Sequence, residues 1–296
     1  MTPMGIEQRR QRTLMVAVAF SLGMGVAGCA TAPSGTAHTD SSEVAPDETG
    51  TTDAGERVCT GFFGQPADKT GLDAATCKPT CACGDDSFTF QNPTAAQLAA
   101  WESAPIPEMA TPSADPYDAS PAITPMPGVC GVRVSTDGSY ALESAADEAE
   151  LSKLGATLTH HGRCGLCSNL ADLAVYARET DLTQPVRTCG LAHFSDLAGN
   201  VACLRKIGFT APCAWIWAYN TRHTRKKCLE PCLAALSSTY HKPDGSLNAC
   251  LQCDEDQSGP VFKAIAGRTR RNSGLASALC RPCDQVDRVE HNYALK

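Results

Sequence analysis

The chain lacks the short signatures that announce several familiar enzyme classes. It has no Gly-x-Ser-x-Gly elbow, no Walker phosphate loop, no dinucleotide fingerprint and no HExxH zinc helix. The acidic run Asp254-Glu255-Asp256, even with Asn248 nearby, lacks the spacing and glycine of an EF-hand loop and reads as a polar turn. Aromatic residues are not interleaved with the basic ones, so no stacking platform for nucleic acid is formed and none is expected as a partner. These gaps exclude particular chemistries without making the protein inactive. What the chain does have is cysteine, 17 of them in 296 residues.

The amino terminus explains that excess. Arg9, Arg10 and Arg12 form a basic start, and Leu14 to Ala27 form an uncharged apolar run too short to span a bilayer comfortably. The run ends in Val26-Ala27-Gly28-Cys29, which resembles the lipobox of bacterial lipoproteins. That resemblance covers about the first tenth of the chain. It implies cleavage before Cys29, acylation of its thiol and a membrane partner reached through that anchor outside the cytoplasm. Ala30, rather than Asp, follows the cysteine, which in such lipoproteins implies sorting to the outer membrane. Setting Cys29 aside leaves 16 cysteines, an even number that in an exported chain points to up to eight disulfides of unspecified connectivity.

Composition then divides the chain. Residues 1–28 read as signal peptide and 29–58 as lipidated cysteine plus a tether of small, polar and acidic residues that cannot offset its own ordering entropy. Residues 59–103, with Cys59, Cys77, Cys81 and Cys83, read as a separate small cysteine-rich loop unit; Cys77-x3-Cys81-x-Cys83 also has a metal reading. A short helix is expected here, capped by Asn92 with Pro93 at its first position and Ala95 to Trp101 continuing it. Seven prolines make 104–128 an extended connector, and 129–296 reads as a helical, disulfide-rich domain. The expected fold is therefore mainly α and disulfide-rich, with a small β-hairpin around Thr136-Asp137-Gly138. Within the large domain the apolar spacing predicts a helix from Cys167 to Ala177 and a single helix from Cys189 to Ile207. It predicts a third helix capped by Thr210 and broken or kinked at Pro231, a fourth opening at Ser258-Gly259-Pro260, and a short last one around Asp284 to Tyr293.

One stretch gathers reactive side chains: His160-His161-Gly162-Arg163-Cys164-Gly165-Leu166-Cys167. A CxxC at a strand-to-helix junction can be a dithiol redox centre, because the helix N-terminus stabilises a thiolate. The spacing resembles the thioredoxin-like motif over those four residues alone. His160, His161, Cys164 and Cys167 also suit copper or zinc. The alternative is that Cys164 and Cys167 each bridge to distant cysteines while the histidines are solvated or hydrogen-bonded. On the expected 189–207 helix, Cys189, His193, Asp196, Asn200 and Cys203 fall on one stripe. His193 and Asp196 there form either an oriented base or a polar face between two disulfide anchors. The candidate catalytic residues are thus His161, Cys164, Cys167, His193 and Asp196.

Residues 1–159 carry a net −12 and residues 160–296 a net +5. The basic runs Arg222 to Lys227 and Arg268 to Arg271 sit at expected helix C-termini, where cations are favoured in any case; an anionic ligand is the alternative. The stretches His161 to Ser168, Asp172 to Tyr176 and Cys253 to Arg271 resemble those of secreted cysteine-rich proteins of unassigned function, a likeness that implies no activity. Two function classes follow. One is an oxidoreductase-type site at 160–167, and the other a disulfide-stapled binding module for an envelope component or anionic partner.

Overall fold

The computed structural model describes residues 59–295, so the signal peptide, Cys29 and the tether lie outside the described residues. The chain enters through β1 (Cys59–Thr60), β2 (Phe62–Phe63), β3 (Cys77–Lys78), β4 (Thr80–Cys83) and β5 (Asp86–Thr89), then α1 (Ala95–Ser103). After the proline-rich stretch come β6 (Val129–Val134), β7 (Tyr140–Ala145), α2 (Glu148–Lys153) and β8 (Thr157–His161). Helices α3 (Leu170–Arg178), α4 (Thr183–Ala192), α5 (Leu197–Ile207), α6 (Ala211–Ala234), α7 (Ala249–Gln257) and α8 (Gly259–Ala266) follow, and β9 (Arg281–Pro282) closes the chain. The result is a disulfide-rich, helix-bearing fold with three small three-stranded sheets. All 16 cysteines from Cys59 onward pair, giving eight disulfides.

The cysteine-rich segment at 59–103 is not separate, which corrects the sequence expectation. Cys77 bridges to Cys280 and Cys81 to Cys283, and β2 pairs with β9 across Phe62↔Pro282 and Phe63↔Arg281. Two covalent ties some 200 residues apart in sequence make this segment and the last strand one structure, a linkage that spacing alone could not reveal. The proline-rich stretch is extended apart from a 3-10 turn at Pro116–Asp118, where Tyr117 stacks on His223 of α6 and donates to Asn220 Oδ1 at 2.6 Å.

Local chemistry accounts for the helix boundaries. α1 starts two residues later than expected, because Thr94 rather than Asn92 is its cap and forms a reciprocal capping box with Gln97. α3 starts at Asn169, whose side chain accepts from Asp172 N–H; the CxxC therefore lies in the turn before the helix rather than within it. The expected 189–207 helix is two helices, because Asp196 accepts from Gly199 N–H and so starts α5. Cys189 and Cys203 then bridge α4 to α5. Pro231 sits inside α6, and the backbone leaves helical geometry at Cys228 (φ −124°, ψ 19°), the turn its ring disturbs. Asp254-Glu255-Asp256 is no turn but the body of α7, capped by Asn248. The expected last helix reduces to a 3-10 turn at Cys283–Gln285.

The core runs from Phe63 and Trp101 through Leu170, Leu173, Leu204 and Ile216 to Phe262. At its centre Asp172, fully buried on α3, accepts from the Thr210 backbone N–H at 2.8 Å and the Thr210 hydroxyl at 2.6 Å, so a residue of α3 caps α6. The Asn169 side-chain amide donates to the same carboxylate. The Cys167–Cys213 bridge fastens that junction covalently. Asp172→Ala leaves the buried Thr210 N–H and hydroxyl without an acceptor and the Asn169 amide with only Thr210 Oγ1 at 3.4 Å, and urea unfolding should show a loss of about 2–4 kcal/mol.

Candidate functional site

The HHGRCGLC stretch is built into the fold through its backbone. Gly162, with φ +83°, turns the chain out of β8. The Leu166 and Cys167 N–H groups donate to the Ile265 and Ala266 carbonyls at 2.9 Å each, so the turn lies flat on the end of α8. Gly165 and Gly267 permit that approach: a Cβ on Gly165 would stand 2.5 Å from Ile265 O, and one on Gly267 2.5 Å from Gly165 N.

Its two sulfurs point to different partners. Cys164 bridges to Cys130 of β6, and Cys167 to Cys213 of α6. Neither is a thiolate, and they do not form a pair with each other. The dithiol reading and the thiolate half of the metal reading are thereby corrected: both sulfurs hold the β8 turn to its neighbours. Among the described residues, no group of three or more His, Cys, Asp or Glu side chains is arranged to hold a metal ion.

The histidines separate as well. His160 is fully buried. Its Nδ1 donates to the His161 carbonyl at 2.9 Å, so its Nε2 accepts from the Ser168 hydroxyl at 2.7 Å. That hydroxyl also accepts the Gly165 N–H at 2.8 Å. A serine and a histidine at this distance have the form of a nucleophile and its base, but both are sealed from solvent and no substrate atom reaches them. Burial, then the charge of Arg268, holds His160 well below the usual histidine range. His161 instead faces a surface cavity. His193 and Asp196 occupy the break between α4 and α5, 3.9 Å apart; that break removes the stripe expected on one helix.

Arg268 lies beneath the turn, fully buried and with no carboxylate within 4 Å among the described residues. Its Nε donates to Cys167 O, one terminal nitrogen to Thr159 O and Ser273 Oγ, and the other to Thr159 Oγ1 and Ser168 O. All five N–H donors are used. His291 closes this network: its Nε2 donates to Ser273 O at 2.8 Å, and its Nδ1 lies 2.8 Å from the Tyr293 hydroxyl. Burial and Arg268 push His291 down to about 3. The basic run Arg268 to Arg271 is therefore no solvated face: Arg270 is also held inside, donating to the Tyr176, Ala276 and Glu179 carbonyls.

The prominent concavity lies elsewhere. A cavity of about 320 Å³ opens between α4, α6, α7 and α8, within the range of small-molecule sites. Tyr176, Trp217 and Phe262 form its aromatic floor, with Trp217 4.7 Å from Phe262 edge to face and its indole N–H donating to Tyr176 OH at 3.1 Å. The Cys228–Cys253 and Cys232–Cys250 bridges tie the kinked end of α6 to α7, and Cys232–Cys250 lines the cavity. Among the described residues, eight large apolar side chains are conspicuously exposed, and five of them (Leu191, Phe194, Leu229, Leu233 and Leu236) line this cavity. The apolar surface this protein leaves in water is thus concentrated at one mouth.

The cavity's lining ends in charge. Glu255 pairs with Arg271 at 2.5 Å and with Arg281. Burial pushes its pKa up, but the guanidinium groups of Arg281 and Arg271 win and hold Glu255 below the usual carboxylate value. Asp254, almost wholly buried, is taken up by Thr224 and Asn220, and burial raises it.

A family of unknown function (DUF8771) matches residues 198–289. The match takes in most of α5 and all of α6 to α8, with Trp217, Phe262 and the charged end of the cavity but not Tyr176, and covers less than a third of the chain. No curated protein and no solved structure matches the chain.

The cavity went unseen in the sequence. A signal was present in Leu229, Leu233 and Leu236, spaced four and three apart at the end of α6 and just beyond it, and in the acids of α7 read as a turn. Two measurements check this description. Peptide mapping of the unreduced protein should recover the Cys130–Cys164 and Cys167–Cys213 links, with no Cys164–Cys167 link. Stability should fall as pH drops from about 6.5, because the unfolded chain protonates His160 and His291 while the folded chain does not until about pH 3 for His291. Each contributes a slope of up to about 1.4 kcal/mol per pH unit. Burial pushes Asp172 up to about 6, so it acts in the opposite sense below that pH and offsets one of the two. His291→Gln should flatten the slope by about one proton in urea midpoints compared at pH 7 and 5.

Proposed function

We propose that the chain is an exported, envelope-tethered binding module that holds an apolar small molecule in the cavity between α4, α6, α7 and α8. The observation that carries this reading is the coincidence of that cavity with most of the exposed large apolar side chains. Exposing five such residues around one opening costs solubility, and a bound apolar ligand or a bilayer at the mouth offsets that cost. Cys29, as the lipid attachment site of a lipobox, would hold the module beside an outer membrane, within reach of apolar molecules.

Two further facts support this setting. Eight disulfides indicate an oxidising, extracytoplasmic compartment. No helix among the described residues is long and apolar enough to cross a membrane, so none of these helices supplies a spanning anchor. Metal or thiol chemistry at His160, His161, Cys164 and Cys167 is not carried forward, because both sulfurs are bridged. No reaction is assigned, and the binding reading needs none.

Phenylnaphthylamine, a neutral apolar dye that brightens on leaving water, tests the reading. The full chain is expected to bind it saturably at one equivalent. Val186→Trp, which fills the cavity from α4, should reduce that binding at least tenfold with the helical circular dichroism retained. Undiminished binding by the folded variant would place the dye elsewhere and remove the proposal's basis.

A further inference from the structure

A second, more polar cavity of about 330 Å³ adjoins the first. Lys263, Thr269 and Arg271 line both, so the apolar cavity and the polar one meet along a seam made by α8 and the segment after it. Away from the seam, the polar cavity is walled by His161, Arg163, Asn272 and Asp287. The turn singled out in the sequence therefore borders a site through His161 and Arg163, the two side chains of HHGRCGLC that the disulfides and the buried network leave free to face solvent.

Charge along the seam is unbalanced. Arg163, Lys263, Arg271 and Arg281 face Glu255 and Asp287, an excess of two positive charges. Counting Arg270 and Asp254 as well leaves the excess unchanged. Glu255 already serves Arg271 and Arg281, and neither Lys263 nor Arg163 has a carboxylate within 4 Å among the described residues. A half-buried lysine that shares its nearby carboxylate, Glu255, with two guanidinium groups is costly; burial, followed by the neighbouring Arg271, holds Lys263 below the usual lysine range, and Glu255 only partly opposes them. An anion at the seam would remove that cost. A ligand that is apolar at one end and anionic at the other matches the two cavities in the order in which they adjoin.

We infer that the ligand is a single-chain amphiphile with an anionic head, its chain in the apolar cavity and its carboxylate or phosphate at the Lys263–Arg271 seam beside Arg163 and His161. Thr269 adds a hydroxyl at the same place. This rests on the apolar cavity being a ligand site and adds the identity of the head group. It also gives the alternative of an anionic ligand a location distinct from the basic run on α6, where Arg222 is taken up by Asp115 and Arg225 lies 4.2 Å over the Phe194 ring.

The test compares ligands of one chain length on the full-length protein by calorimetric titration: dodecanoate, dodecyl phosphate and dodecanol, with inorganic phosphate as a chainless control. Both anionic amphiphiles should bind about tenfold or more tightly than dodecanol, and the preference should shrink as salt is raised. Inorganic phosphate alone should bind far more weakly than dodecyl phosphate. Lys263→Gln should narrow the gap between dodecanoate and dodecanol, and Lys263→Arg should restore it. Equal affinity for dodecanol and dodecanoate in the wild-type protein would overturn the inference while leaving the apolar site intact. Tight phosphate binding without the chain would overturn it by making the seam a plain anion site. No binding of any chain would overturn this inference and the ligand site together.

Discussion

A guanidinium group sealed in the interior without a carboxylate sets the terms for the rest of the fold. Arg268 can be tolerated there only if each of its five N–H groups meets an oxygen, since an unpaired charge in such a place costs several kcal/mol. Those oxygens come from Thr159 at the end of β8, from Cys167 and Ser168 in the following turn and from Ser273 beyond α8. Four of the five bonds go to β8 and its turn, so the sheet cannot shift against α8 without leaving the charge unsatisfied. The Cys130–Cys164 and Cys167–Cys213 bridges flank the same turn and resist the same displacement covalently. His160 and His291 complete the shell as neutral rings, which fits a region already carrying one uncompensated positive charge.

That rigid block is what positions the proposed ligand seam. Lys263 belongs to α8, whose carbonyl end receives the turn's N–H groups, and Arg271 follows Arg268 by three residues. Asn272 spans from one side to the other, donating to the His161 carbonyl at 2.6 Å and the Gly267 carbonyl at 2.7 Å. The side chains that face the polar cavity are thus mounted on the best-tied backbone in the structure, while the apolar mouth sits on α4 and on the kinked end of α6.

How much of this was legible in the sequence depended on whether the signal was local. Cysteine parity was readable because it needs only counting, and the hairpin at Thr136-Asp137-Gly138 because its turn chemistry lies within three residues. The Thr210 start of α6 and the kink near Pro231 were readable for the same reason. The single helix expected over 189–207 failed because apolar spacing continued across Asp196, whose carboxylate prefers to cap a new helix. The separate small unit failed because Cys77 and Cys81 find partners some 200 residues away. The HHGRCGLC stretch attracted attention for its residue types, and its role is decided by where the partners of Cys164 and Cys167 lie. No local pattern carries that information. His161 belongs to a candidate site after all, for the reason of charge at a seam rather than metal or thiol chemistry.

The density of bridges around the apolar cavity has a physical reason of its own. A concavity of this size removes contacts that a filled core would supply, and side chains lining it lose packing partners on one side. The chain places one disulfide, Cys232–Cys250, in the wall and a second, Cys228–Cys253, one turn earlier in α6, where the backbone leaves helical geometry at Cys228. Each closes a loop of about 20 residues and restricts the unfolded chain, so stability there does not depend on filling the space between the helices. Helices packed only by apolar side chains would tend to collapse into such a space, as core cavities partly do when left unsupported. Tied through covalent bonds and a kink, α6 and α7 are held apart. The cysteines that made the sequence look like a redox or metal protein are, on this reading, what allows its interior to stay open to a ligand.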